Sequence, residues 1–295
     1  MKENGLTEKR FTALLVVVMI CITSIILTRN DVATPIEPVS NTTRFALAAL
    51  LSVDGSRAWW NQQKYISSAE KLAISFRRHS NLDMVLLVVD EYGLLRKSDE
   101  ERLRNSGWSV HHMRFEGITV TNGRFFSKLW MWRLLMYELI LYTDLDTLFV
   151  ESPEVIFHLR PSSQNPAMVL DTAHTHYFNT GVMLLRPSES EFQRLVTAFN
   201  THESRMDYTE QYFLNYFYHG RIITLHARFN RQVCAQDNCL NDKISKERFK
   251  RPLDETALRD TTTILHFNGD NKPWDLKNCM RKNIVQLCMF WKHYQ

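Results

Sequence analysis

The sequence predicts an α/β fold, a mostly parallel sheet flanked by helices on both faces, in a single domain. Three observations lead there. Short apolar runs alternate with helix-patterned segments through the first half of the chain, the rhythm of a parallel sheet with crossover helices. Acidic residues close three of the runs, Asp54, Asp90 and Asp144. Hydrophobic content of 44% and charged content of 23% are those of an ordinary globular chain.

The elements follow in order. Phe45 to Val53 (FALAALLSV) reads as a buried strand. Tyr65 to Phe76 reads as a helix, with Ala69, Leu72, Ala73 and Phe76 on one stripe. Met84 to Val89 is a second strand and Asp99 to Asn105 a polar helix ended by Gly107. Trp108 to Met113 is a third strand. Ser127 to Glu138 reads as a helix leading into the apolar run before Asp144. Further on, Ala167 to Leu170 and Val182 to Leu185 read as strands, and Glu189 to Phe199 and Tyr208 to Tyr218 as helices. Ile222 to His226 and Thr263 to Phe267 read as strands, and Ile284 to His293 as a closing amphipathic helix. Ligands of such sheets bind beyond the C-terminal ends of the strands, so a nucleotide is expected near Asp54 and Asp144.

The N-terminus departs from the globular pattern. Phe11 to Leu27 is an uncharged apolar run preceded by Lys2, Lys9 and Arg10. It is near the short end of what spans a bilayer, and its cationic flank belongs in the cytosol. The expected organisation is a cytosolic tail over 1–10, a transmembrane signal anchor over 11–28, a stem over 29–43 and a lumenal domain over 44–295. A cleaved signal peptide is the rival reading. Asn41-Thr42-Thr43 is an N-glycosylation acceptor. Outside the span stand Cys234, Cys239, Cys279 and Cys288. In an oxidising lumen four cysteines suggest two disulfides, with Cys234–Cys239 and Cys279–Cys288 the expected local pairs. Zinc is the competing use, but no C-x-x-C pair exists. The net charge of +4 with no dominant basic run does not suggest nucleic acid.

Three segments bear on chemistry. YTDLDTLFV places Asp144 and Asp146 one residue apart after a buried run. Strand alternation would point both carboxylates at one spot, where they repel unless a cation lies between them. Carboxylate oxygens suit magnesium or manganese. HFNGDNKPW offers the imidazole of His266, with Gly269 permitting close backbone approach to an anion and Lys272 a charge for phosphate oxygens. FNTGVMLL reads as a turn, with Asn179 and Gly181, entering an apolar strand. Taken singly, each has a plain structural reading: a solvated strand end, a surface turn, a hairpin.

Together and in this order, the three segments resemble the glycogenin-like retaining glycosyltransferases, family 8 of the sugar transferases. The likeness runs from about Phe45 to Trp274. It implies a GT-A type, Rossmann-like fold and a lumenal enzyme anchored in the Golgi membrane, single-pass and type II. The implied reaction is manganese-dependent transfer of a hexosyl or pentosyl group from a UDP-sugar to a glycan, polysaccharide or lipid. It also implies manganese on Asp144, Asp146 and His266, with Leu145, Gly181, Gly269 and Lys272 around the donor. Asp171 and Asn179 would line the sugar pocket, Lys128 would contact phosphate or sugar, and Ser52 and Asp54 would face the uridine. The usual polar Asn of that uridine pocket is Val53 here. Gln211 would lie near the reacting face of the sugar, and Glu210 stands where the family usually has Asp, while the preceding Asp207 could cap the helix instead.

Two other readings compete. A phosphatase of the haloacid dehalogenase type also sets Asp-x-Asp after a buried strand, but Leu148 stands where that family has Thr or Val. The other is a non-catalytic sugar-binding relative of the same fold. Trp59, Trp60, Trp130 and Trp132 could stack on sugars or belong to the core.

Overall fold

Side-chain alternation along the first strand sets the plan of the molecule. β1 (Phe45–Val53) places Leu47, Ala49, Leu51 and Val53 in one buried cluster, and Ala46 and Ala48 in another on the opposite face. The structure is a computed structural model and describes residues 45–53, 59–90, 92–113, 127–172, 176–202, 209–233, 255–281 and 284–294. The expected tail, membrane span and stem, Asn41, Asp54, Asp207 and the Cys234–Cys239 pair lie outside these residues. Among the described residues no helix is long and apolar enough to cross a membrane.

After β1 come α1 (Trp59–Arg77), β2 (Asp83–Asp90), α2 (Lys97–Asn105) and β3 (Ser109–Met113). A 3-10 turn (Ser127–Arg133) leads to β4 (Leu139–Thr143) and β5 (Thr147–Phe149). Then follow β6 (Ala167–Leu170), β7 (Phe178–Leu185), α3 (Glu189–His202) and α4 (Glu210–Phe217). The chain closes with β8 (Ile223–Thr224), β9 (Arg231–Gln232), α5 (Glu255–Thr261), β10 (Ile264–His266), α6 (Leu276–Arg281) and α7 (Val285–His293).

The main sheet has seven strands in the order β3-β2-β1-β4-β7-β6-β8. All its pairings are parallel except those of β7, which runs against both β4 and β6. Ile66, Ala69, Leu72, Ala73 and Phe76 of α1 cover one face, as the stripe in the sequence predicts. Trp130 and Trp132 of the 3-10 turn, with Phe192, Leu195 and Phe199 of α3 and Phe213 and Leu214 of α4, cover the other. Those two tryptophans are therefore core. A second sheet, β5-β10-β9, has its own core, which includes Leu148, Leu265, Phe267, Leu287 and Trp291. Here the expected Cys279–Cys288 disulfide ties α6 to α7.

Four elements differ from the expectation. Ser127–Glu138 is not an α-helix: residues 127–133 form the 3-10 turn with every side chain buried, and a surface helix cannot bury consecutive residues all round. The FNTG segment is no turn, because β7 is extended from Phe178 onward, central between β4 and β6. The aromatic helix begins at Glu210, where Thr209 caps it by accepting the Tyr212 N–H at 3.5 Å. The strand expected over Ile222–His226 shrinks to β8, a two-residue sheet edge.

Candidate active site

Asp144 and Asp146 lie in the turn that carries the chain from β4 in the main sheet to β5 in the small one. Their convergence therefore comes from a turn and not from strand alternation. The Asp144 N–H donates to the Gly181 carbonyl at 2.8 Å, and the Phe267 N–H donates to the Asp146 carbonyl at 2.9 Å. Each aspartate is thus stitched to one of the other two segments. Ligand atoms of Asp144, Asp146 and His266 lie within 4.8 Å of one another.

Each aspartate pairs with a lysine, Asp144 through both oxygens, its Oδ2 3.4 Å from Lys128 Nζ. Asp144 Oδ1 accepts the Tyr142 hydroxyl at 2.5 Å and lies 3.0 Å from Lys128 Nζ. Lys128 also pairs with Glu210 Oε1 at 2.7 Å. Asp146 Oδ2 pairs with Lys272, while its Oδ1 faces His266 Nε2 at 3.4 Å. Burial alone would raise the Asp146 carboxyl, but the Lys272 ammonium and the His266 imidazole outweigh it and hold the group below the usual carboxylate range. Burial works against the Lys128 charge, yet Asp144 and Glu210 hold its pKa well above the ordinary value.

Glycine is required at position 181 by space. A Cβ there would collide with His266 Cε1 and stand 3.0 Å from Asp144 Oδ2 and 2.9 Å from Asn179 Oδ1. At position 269 backbone conformation asks for it: φ is +58°, the left-handed region. Two carboxylates and an imidazole around a space kept clear of a Cβ fit a divalent cation in their donor chemistry.

A second group adjoins the first. Asn179 Nδ2 donates to Asp171 Oδ2 at 3.1 Å, Gln211 Nε2 donates to the same oxygen at 3.2 Å, and the Thr180 N–H donates to Gln211 Oε1 at 3.2 Å. Asn215 fixes this corner by accepting the Phe178 N–H at 2.7 Å and donating to the Phe178 and Gln211 carbonyls, both at 2.8 Å.

The structure therefore brings together Lys128, Asp144, Asp146, Asp171, Asn179, Gly181, Glu210, Gln211, His266 and Lys272. Ser52 is the penultimate residue of the neighbouring strand β1, level with Val89. Leu145 points its side chain into the main core, which leaves only its backbone for a ligand. The loop that carries Gly269 and Lys272 is anchored by Trp274, whose ring meets Tyr65 at 5.2 Å and Trp291 at 6.0 Å.

Sequence reasoning missed Tyr142 and Asn230. Tyr142 was findable, since it stands two residues before Asp144 in the strand that leads to it. Asn230, 1% exposed and 2.9 Å from His266 Nδ1, has no spacing that marks it.

Fold and site together define a GT-A type glycosyltransferase. Residues 96–278 match the family described as "Glycosyl transferase family 8", and the chain belongs to that family. This removes the phosphatase reading. The chain is 26% identical over 218 residues to a putative UDP-glucuronate:xylan alpha-glucuronosyltransferase 3 of Arabidopsis thaliana, covering 72% of this chain and 33% of that protein. It is 28% identical over 159 residues to a glycogenin of Komagataella phaffii, covering 51% and 37%. The chain thus spans roughly a third of the length of these relatives. The apo-form glycosyltransferase GlyE of Streptococcus pneumoniae has a similar fold, with a TM-score of 0.57 at 18% identity, covering 86% of this chain and 63% of that one.

Proposed function

We propose that the protein is a manganese-dependent retaining glycosyltransferase that moves a hexosyl or pentosyl group from a UDP-sugar to a glycan, polysaccharide or lipid acceptor. The observation that carries this is the adjacency of two groups at one strand end. Asp144, Asp146 and His266 stand beside Lys272, and Asp171, Asn179 and Gln211 are hydrogen-bonded next to them.

Asp144, Asp146 and His266 would hold the ion, and Lys272, which now neutralises Asp146, would turn to the diphosphate. A bound divalent cation would supply charge stabilisation for the departing nucleoside diphosphate, and Lys272 adds to it. Asp171 and Asn179 would accept and donate hydrogen bonds to the sugar hydroxyls. Lys128, held between Asp144 and Glu210, would meet a phosphate or the sugar. Glu210 is one methylene longer than the usual Asp, which alters the room left for the sugar. Gln211 is a poor nucleophile, which suits a route in which the acceptor enters on the face the leaving group vacates. The named donor of the Arabidopsis relative makes UDP-glucuronate one candidate. In this reading Phe11–Leu27 anchors the enzyme as a single-pass type II protein of the Golgi membrane, with Ser52 and Asp54 at the uridine.

The test is hydrolysis of a panel of UDP-sugars with manganese or with EDTA, beside Asp146→Ala. Turnover of one donor, lost with EDTA and in the variant, is the expected result. If every donor stays inert and calorimetry detects no manganese-dependent UDP binding, the proposal fails and the non-catalytic sugar-binding relative takes its place.

A further inference from the structure

We infer that Asn230 is a positioning residue that fixes the tautomer of His266 and joins the cation ligands to the sugar-pocket residues. The inference rests on the transferase reading above and extends it to a residue outside the motifs.

Asn230 ends the 3-10 turn Ala227–Asn230, just before β9, and is buried. Its Oδ1 lies 2.9 Å from His266 Nδ1, and its Nδ2 lies 2.9 Å from Asn179 Oδ1. Amide and imidazole orientations are normally ambiguous without hydrogens. Here the two ends of the chain of contacts remove the ambiguity. The backbone N–H of Gly181 donates to Asn179 Oδ1 at 3.0 Å, and a backbone N–H can only donate. Asp171 Oδ2 receives Asn179 Nδ2 at 3.1 Å, and an ionised carboxylate can only accept. The Asn179 amide therefore has one orientation, with its oxygen toward Asn230.

The rest follows stepwise. Asn230 must present its NH₂ to that oxygen, so its own oxygen faces His266. Nδ1 of His266 must then carry a proton, so Nε2 is the nitrogen able to give a lone pair to a metal. Nε2 is the nitrogen on the Asp146 side, 3.4 Å from Oδ1. A backbone N–H on β7 thus decides which nitrogen on β10 can bind a metal. Outer partners of this kind orient a metal-binding imidazole and set its basicity. From Asn179 the chain continues through Asp171 to Gln211, so ligand and sugar contacts share one hydrogen-bonded unit.

Two variants of the full-length protein separate the two roles. Asn230→Asp keeps an acceptor for the Nδ1–H but loses the donor to Asn179. Asn230→Ala loses both. Manganese affinity is read by EPR titration with MnCl₂ alone, and the donor KM by hydrolysis of the best UDP-sugar. Thermal melting establishes that each variant is folded. Removing the outer partner of a metal ligand typically costs about 10–100-fold in affinity. That weakening is expected for Asn230→Ala, against a change within about threefold for Asn230→Asp, the scale set by that partner loss. The donor KM should rise in both. Unchanged manganese affinity in folded Asn230→Ala overturns the inference, as does an equal loss in both variants, which would mark a merely structural role. Should Asn230→Ala not fold, Asn230→Asp decides: retained affinity with raised KM supports the inference, and lost affinity overturns it. A wild-type chain that takes up no manganese overturns the transferase reading as well, whereas wild-type binding beside an unaltered Asn230→Ala overturns this inference alone.

Discussion

From β3 to β4 the main sheet is parallel and packed on both faces by aliphatic and aromatic side chains; around β7 it turns antiparallel and fills with asparagine, glutamine and aspartate. In the first region Leu47, Leu86, Val88 and Leu141 are fully buried with nothing polar to satisfy. In the second, buried Asp171, Asn179 and Asn230 are joined by hydrogen bonds, and buried Asn215 holds the Phe178 backbone beside them. Apolar packing is non-directional and tolerant of repacking, whereas a buried polar network works only when its members are satisfied. The first region should therefore carry stability and the second activity.

The largest expected effect is on activity. Asp146→Asn keeps the shape of the side chain and removes the charge that Lys272 and His266 hold ionised. Losing a metal-ligating carboxylate forfeits several kcal/mol of charge stabilisation, and each ~1.4 kcal/mol is tenfold in rate, so kcat/KM should fall by about 10³. Lys272 is 28% exposed along its side chain and can reach water once unpaired, so the melting temperature should move little. A variant that fails to fold would break the division of labour.

The converse variant is Leu86→Ala in β2, where the side chain is fully buried between Ala49 and Val110 on neighbouring strands. Such truncations cost about 2–5 kcal/mol. Chemical denaturation should show that loss while kcat per folded molecule stays within about twofold, the latter following from a cost confined to packing. A parallel fall in kcat would mean the apolar half also sets the geometry of the site.

The same contrast explains what was legible in the sequence. β1 matched its expected bounds because FALAALLSV is a continuous apolar run, and the α1 stripe repeated at helical spacing. Asp144, Asp146, His266 and Lys272 were legible because each stands in a compact segment. Of the network round β7, Asp171, Asn179 and Gln211 were reached through the family resemblance, but Asn230 was not, because its bonds join residues far apart in the chain: 36 positions from His266 to Asn230 and 51 from Asn230 to Asn179. No local pattern encodes such pairings. The 3-10 turn at Ser127–Arg133 was misread for a related reason, since its shape is set by the helices and strands that bury it on all sides.

The smallest expected effect lies on the border between the two regions. Thr143 is the last residue of β4, fully buried, one position from Asp144 and paired across to Val182 of β7. Its hydroxyl has no hydrogen-bond partner among the described residues. Thr143→Val keeps the branched shape and deletes that hydroxyl. A buried unsatisfied group costs about 1–3 kcal/mol, so stability should hold or rise by up to roughly that amount. Activity should stay within about twofold, because removing a group that makes no bond leaves the hydrogen-bonded geometry in place. If kcat/KM instead falls tenfold with the melt unchanged, the hydroxyl serves the reaction. The border between the packing half and the reacting half would then run through β4 itself, one residue earlier than the turn that carries the two aspartates.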